Sequence, residues 1–209
     1  LSMRDRRADP DGFARAMGES YARFGFAIVR EHGLDAGLIE RAGRATKNFF
    51  ALPDEVKRRY HTTGGGGQRG YTPFGVEAAK GADKVDLKEF WHVGRELREG
   101  HPYRKYMPHN VWPAEIASFR EDVYGLYSAL DALGLDLLDS IAAFLQLPHG
   151  FFREPVRDGN SVLRLLHYPP TPPKPEGVRA EAHEDINVIT LLLGAEEAGL
   201  QLLTAEGEW

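Results

Sequence analysis

The feature that most limits how this chain can fold is a change of period near residue 150. Ile116, Phe119, Val123, Leu126, Leu130, Leu133, Leu137 and Ile141 recur at intervals of three and four, the spacing that keeps one face of a helix apolar. Gly125 and Gly134 interrupt this stripe, and Tyr124, Tyr127 and Phe144 widen it. A long helix lying across a sheet fits that pattern better than a coiled coil. The helix is expected to end near Leu147, ahead of Pro148. From Ser161 the apolar residues instead form runs at Val162 to Tyr168, His183 to Leu193 and Leu200 to Leu203, which read as strands. Pro169 to Pro175 is too rich in proline to be anything but loop. Helices first and strands last predict an α+β architecture, with helices packed against an antiparallel sandwich or barrel.

The first half of the chain carries its own punctuation. Phe13, Met17 and Tyr21 place a helix over Pro10 to Arg23, with Asp11 as its expected N-cap. Phe24 to Val29 reads as a buried strand ended by His32-Gly33. A second helix is expected from about Asp35, with Leu38, Ile39, Ala42 and Phe49 on one face. Leu52-Pro53-Asp54-Glu55 stops it and opens a short third helix with proline in its first turn. Thr63 to Gly67 is a glycine run without the Lys-Ser/Thr that a phosphate-binding loop needs, so it reads as a plain loop. Tyr71 to Val76 and Leu87 to Val93 read as strands on either side of a polar connection.

Composition removes several classes of function. The chain has 209 residues, 42% of them hydrophobic and 27% charged, which suits a globular domain with a substantial core. No apolar run approaches a membrane span. Met3-Arg4-Asp5-Arg6-Arg7 leads into Asp and Pro, not into the apolar stretch of a secretion signal. A net charge of −5 argues against a nucleic-acid groove. With no cysteine, disulfides, thiolate metal sites and a cysteine nucleophile are all excluded. Any metal site must use nitrogen and oxygen ligands, and a reducing cytoplasm is the expected location.

One such ligand pair is visible. In Ala182-His183-Glu184-Asp185-Ile186-Asn187 a histidine and an aspartate stand two apart on a segment that reads as a strand. That spacing puts both side chains on one face, where an imidazole nitrogen and a carboxylate oxygen can meet on one ion. These are two of the three ligands of the 2-His-1-carboxylate triad that holds non-haem Fe(II). The bland alternative is a surface histidine beside a solvated acid. On the strand before it, Arg164, Leu166 and Tyr168 share one face, and Leu163, Leu165 and His167 the other. Tyr168 can equally be a core tyrosine with its hydroxyl satisfied.

A longer pattern carries more weight. Leu163-Arg164-Leu165-Leu166-His167-Tyr168-Pro169-Pro170, then Ala182-His183-Glu184-Asp185, Gly199-Leu200-Gln201-Leu202 and Gly207-Glu208-Trp209 resemble the core of the 2-oxoglutarate/Fe(II)-dependent dioxygenases of the isopenicillin N synthase-like branch. Phe24-Gly25-Phe26, His32-Gly33, Phe49 to Lys57, Gly70-Tyr71 and Asp86-Leu87-Lys88-Glu89 are similar to that family's N-terminal region. The resemblance runs through the whole chain in the family's order.

The resemblance implies a distorted double-stranded β-helix (jelly roll) with an N-terminal helical region and a long supporting helix. Three segments follow: 1–115 as the non-haem dioxygenase N-terminal region, 116–160 as the long helix and linker, and 161–209 as the first part of the jelly-roll core. His183 and Asp185 match the first two iron ligands. Tyr168 matches a tyrosine that in several members hydrogen-bonds the distal carboxylate of 2-oxoglutarate. Arg164 matches a position that in some members lies near the substrate, and its alternative is a structural ion pair. Tyr71 and Phe90 are expected to line the pocket. The implied activity uses Fe(II), dioxygen and 2-oxoglutarate as co-substrate to oxidise a small organic molecule. A same-fold Fe(II) oxidase without 2-oxoglutarate and a non-catalytic jelly-roll binding protein are the competing readings. The third iron ligand and the Arg-x-Ser pair that anchors 2-oxoglutarate in the family have no match here, and they are expected beyond Trp209.

Overall fold

The computed structural model describes residues 1–62, 68–77, 85–170, 178–194, 199–203 and 207–208. The glycine run at 63–67, the proline-rich stretch 171–177 and the expected turn at 204–206 lie outside the described residues. The chain divides into two compact units. One comprises Leu1–Leu34, Leu130–Arg157 and Asn187–Trp209; the other comprises Asp35–Ala129 and Asp158–Ile186.

The first unit is helical. Helices α1 (Met3–Ala8) and α2 (Pro10–Phe24) are separated by a single residue, Asp9. Asp9 caps α2 by accepting a hydrogen bond from the Gly12 amide, with Pro10 in the first turn. The sequence expectation puts Asp11 in that role; a proline at the first helical position requires the cap to stand just before it. Met3, Phe13, Met17 and Leu137 form the buried core, with Val29, Leu133, Ile141, Ile189 and Leu191 packed around them.

Phe24 to Val29 is not a strand. Gly25 takes a left-handed conformation (φ 66°) that closes α2, and only the residue just past the segment, Arg30, makes an isolated parallel bridge, with Ser2. Apolar composition alone cannot make a strand where no partner of similar length runs alongside.

The second unit contains the sheet. Its helices are α3 (Ala36–Phe50), capped by Asp35 onto the Leu38 amide, and the one-turn α4 (Asp54–Lys57) behind Pro53. Strands β1 (Gly70–Thr72), β2 (Glu89–Gly94) and β3 (Val162–His167) form an antiparallel sheet in the order β1-β2-β3. The register pairs Tyr71 with Trp91, and Glu89, Trp91 and Val93 with His167, Leu165 and Leu163. Those residues share one face by strand parity. It packs on the helices: the Trp91 ring meets Phe49 at 4.6 Å and Phe119 at 5.2 Å, and all three are fully buried. Edge-to-face aromatic contacts of this kind add to the burial of large apolar area.

The long helix α5 (Phe119–Phe144) supplies its first turns to this unit and the rest to the helical one. Its glycines mark close approach. A Cβ at Gly125 would lie 3.3 Å from Leu38 of α3. The helix stops just short of the expected Leu147, with Gln146 in a left-handed conformation (φ 56°) and the Leu147 amide donating back to Ala142. Among the described residues no helix is long and apolar enough to cross a membrane.

The mixed helix-and-sheet class agrees with expectation, whereas two more expected strands, besides Phe24 to Val29, are absent. The described residues of His183 to Leu193 and Leu200 to Leu203 carry no strand. Their runs have strand-like composition, but a strand is a pairing, and no ladder forms on them.

Candidate active site

The face of the sheet away from the helices is built from Thr72, Phe90, His92, Arg164 and Leu166. Here β3 is the more exposed strand: Leu166 is 38% exposed, against 9% for Leu165 beside it. Arg164 is clamped on this face. Its Nε donates to His92 Nε2 at 2.7 Å, and its guanidinium carbon lies 4.6 Å from the centre of the Phe90 ring. Its Nη atoms make paired bonds to both Glu77 oxygens at 3.1 and 3.2 Å. Such two-pronged pairing fixes a guanidinium in orientation as well as position.

Glu77 links Arg164 to a buried charge. Lys88 Nζ lies 2.7 Å from Glu77 Oε2 and 2.7 Å from Asp86 Oδ2, with Lys88 5% and Asp86 3% exposed. Burial alone would pull the Lys88 ammonium's pKa down, but its bonds to Asp86 and Glu77 more than offset that, so it is raised. Burial pushes Glu77 up, yet Lys88 and Arg164 together hold it below the usual carboxylate range. The row of charges runs Arg164, Glu77, Lys88, Asp86.

At its far end this row meets the segment bearing the His-x-Asp pair. Asp86 Oδ1 accepts from the Glu181 amide at 3.2 Å, and the Leu87 amide donates to the Val178 carbonyl at 3.0 Å. His183 Nδ1 lies 2.7 Å from the Glu181 carbonyl oxygen. A carbonyl can only accept, so Nδ1 carries a proton, which leaves Nε2 as the nitrogen that can bind a metal. That Nε2 stands 3.7 Å from Asp185 Oδ1, and both side chains are about half exposed.

The segment is therefore not the expected strand, but the two side chains do converge. Two donors each about 2.0–2.2 Å from one ion lie no more than about 4 Å apart, and 3.7 Å is within that reach. A neutral imidazole nitrogen and a carboxylate oxygen form the donor set that imidazole-accepting, oxygen-tolerant metals such as iron use. The pair fits the metal the resemblance implies. Among the described residues no group of three His, Cys, Asp or Glu gathers around one point.

The other two expected site residues stand on or beside β3. Arg164 pairs with Glu77, and is joined to the His183 segment through Glu77, Lys88 and Asp86. Tyr168 follows the last residue of β3 and is half-buried. Tyr71 does not line a pocket on this side. It is 3% exposed on the helix-facing side, where its hydroxyl donates to Glu89. Sequence reasoning missed Glu77 and the Asp86–Lys88 pair. Their one local signal was an acid and a base two apart beside a buried strand, where solvated charges have no place.

Glu89 gathers a second buried cluster on the helix face. Lys57 Nζ approaches it at 2.8 Å and His167 Nδ1 at 2.7 Å, and His167 stacks on Phe50 with ring centres 5.0 Å apart. The hydroxyl of Tyr71 completes the set, and burial followed by this contact with Glu89 pushes the phenol's pKa up. Burial would lower Lys57, but its bonds to Glu89 and Asp54 win and raise it. His167 is thus committed to the helix side, as strand parity anticipates.

With this geometry in view, the comparisons with known proteins are direct. Residues 1–115 match the family model described as non-haem dioxygenase in morphine synthesis, N-terminal. A 2-oxoglutarate-dependent dioxygenase, citB of Monascus ruber, is 35% identical over 199 residues, 88% of this chain and 60% of its own length. The 2-oxoglutarate-Fe(II) type oxidoreductase hxnY of Emericella nidulans is 34% identical over 216 residues, covering 95% of this chain and 62% of its own. The chain thus spans about 60% of the length of these curated relatives. Among solved structures, a 2OG-Fe(II) oxygenase family protein from Caulobacter crescentus superposes with a TM-score of 0.90 at 53% identity, covering 100% of this chain and 68% of that one. A full-length Neurospora crassa protein, solved in complex with alpha-KG, gives 0.64 at 27% identity over 77% of this chain and 50% of its own. The chain belongs to the non-haem dioxygenase family, among the 2-oxoglutarate–Fe(II) oxygenases.

Proposed function

We propose that this chain is part of an enzyme that uses Fe(II), dioxygen and 2-oxoglutarate to hydroxylate or oxidise a small organic substrate, with release of succinate and carbon dioxide. The observation that carries this is the convergence of His183 Nε2 and Asp185 Oδ1 to 3.7 Å in a chain of this family. His183 and Asp185 are the iron ligands in this reading. Fe(II) held there supplies the redox chemistry that activates dioxygen and decarboxylates the 2-oxo acid. The protein's own contribution is orientation. The Glu181 carbonyl holds His183 in the tautomer that offers Nε2, Tyr168 donates its hydroxyl to the distal carboxylate of 2-oxoglutarate, and Arg164 borders the substrate.

The described sheet is read as part of the family's jelly roll. The boundaries 1–115, 116–160 and 161–209 follow the family's N-terminal region, supporting helix and catalytic core. The net charge of −5 supports a small-molecule substrate in place of a nucleic acid, and the cysteine-free composition supports a cytoplasmic location.

Anaerobic titration of the complete protein with Fe(II) and 2-oxoglutarate tests the proposal, because the chelate has a visible charge-transfer band. The band is expected in wild type and lost in Asp185→Ala. Its absence from wild type, together with no succinate release, would favour an oxidase or binding role. Full iron affinity in Asp185→Ala would remove that residue from the site.

A further inference from the structure

We propose that Asp86, neutralised by Lys88, is a positioning residue for the metal-ligating segment. Its carboxylate holds the Glu181 amide, and the carbonyl of the same residue holds the His183 imidazole. The inference rests on the reading of His183 as a ligand and adds the device that aims it.

A carboxylate 3% exposed is costly unless each oxygen has a partner. Asp86 divides its two oxygens between two tasks: Oδ2 meets the Lys88 ammonium at 2.7 Å, and Oδ1 accepts from the Glu181 amide at 3.2 Å. The next residue repeats the attachment through the backbone, Leu87 N–H to the Val178 carbonyl at 3.0 Å. Residues 178–186 carry no strand, so these two bonds stand in for a ladder.

The backbone of Glu181 is then held on both sides of its Cα. Its amide is fixed by Asp86, and its carbonyl accepts from His183 Nδ1 at 2.7 Å. An imidazole whose Nδ1–H is held this way presents Nε2 in one direction, toward Asp185 Oδ1. Partners that orient a ligating histidine from behind act on metal affinity, and their loss weakens it by about 10–100-fold. Lys88 is needed because Asp86 would otherwise be a lone buried charge, and its second bond to Glu77 ties the same device to Arg164.

Mn(II) affinity by calorimetry and amide exchange at Glu181, both on the complete protein, test the device apart from turnover. Asp86→Ala is expected to weaken Mn(II) binding about 10–100-fold and to speed Glu181 amide exchange in the metal-free state. Asp86→Asn keeps a weaker, neutral acceptor and is expected to fall between Asp86→Ala and wild type. Were Asp86→Ala not to fold, Asp86→Asn alone would decide by the same two readouts. Unchanged Mn(II) affinity with unchanged Glu181 exchange, even at a lowered melting temperature, would reduce Asp86 to a structural role and overturn the inference. Wild type that binds no Mn(II), or His183→Ala that binds it as well as wild type, would instead overturn the ligand reading beneath it.

Discussion

Lys88 and Glu89 are neighbours in sequence, and each is the centre of a buried charge cluster on an opposite side of the same stretch of chain. Around Glu89 an acid receives Lys57, Tyr71 and His167, drawn from α4, β1 and β3. Around Lys88 a base receives Asp86 and Glu77, and through them reaches the Glu181 peptide and Arg164. The first cluster joins elements that already have regular structure and a shared aromatic core. The second joins a strand to a segment with no ladder of its own. The difference teaches that the same chemistry does two jobs: one cluster locks the fold, and the other tethers the segment that bears the proposed ligands.

The largest expected effect breaks the first cluster. Glu89→Ala leaves Lys57, whose side chain is 6% exposed, without its buried counter-charge, a loss of about 3–5 kcal/mol. Urea unfolding measures it. A loss below about 1 kcal/mol, the range of a surface pair, would erase the contrast between the clusters. Asp86→Ala, by comparison, is expected to act chiefly on metal affinity.

A pH series sharpens the comparison. Lys57, Lys88 and Tyr71 all have pKa values raised by folding, so their contributions are complete below their ordinary values of 10.5, 10.5 and 10.0 and drain as pH rises through the raised ones. Glu77 is depressed below its ordinary 4.5, so its contribution is complete above that value and drains as pH falls through the depressed one. Stability should therefore fall at both extremes, with Glu77→Gln flattening the acid limb. An acid limb unchanged in Glu77→Gln, followed by urea midpoints, would take Glu77 out of the balance.

The smallest effect lies outside both clusters and serves as their control. Gln146 closes α5 at φ 56°, a conformation that costs a residue with a Cβ about 1–2 kcal/mol. Gln146→Gly should raise stability by about 1 kcal/mol with metal affinity unchanged. A shift in Mn(II) affinity there would show that metal binding tracks global stability and not the local tether.

Local chemistry is legible in the sequence, and pairing is not. The stripes that become α2, α3 and α5 are set by neighbours three and four residues away, so they survive without the rest of the fold. Asp35 is readable at the start of α3 for the same reason, while Asp11 loses its role to Asp9 because Pro10 has to sit inside the helix. The alternation in Val162 to His167 puts His167 and Arg164 on opposite faces correctly. The runs at Phe24 to Val29 and His183 to Leu193 have the composition of strands but no ladder beside them, and composition cannot supply one. In the candidate site, the His-x-Asp pair is readable as a motif. Glu77, Lys88 and the Glu181 peptide are not, because the Arg164–Glu77 bond and the Asp86–Glu181 bond span 87 and 95 residues and leave no periodic trace.

The adjacency of Lys88 and Glu89 has one more consequence, for assembly of the sheet. Side chains alternate at every step along an extended chain, so sliding β2 by a single residue would exchange the two charges between the faces. The ammonium would arrive beside Lys57, and the carboxylate beside Glu77. Both pockets would then hold like charges, so the misaligned pairing is penalised on both sides at once, and the dipeptide works as a key that turns in one alignment.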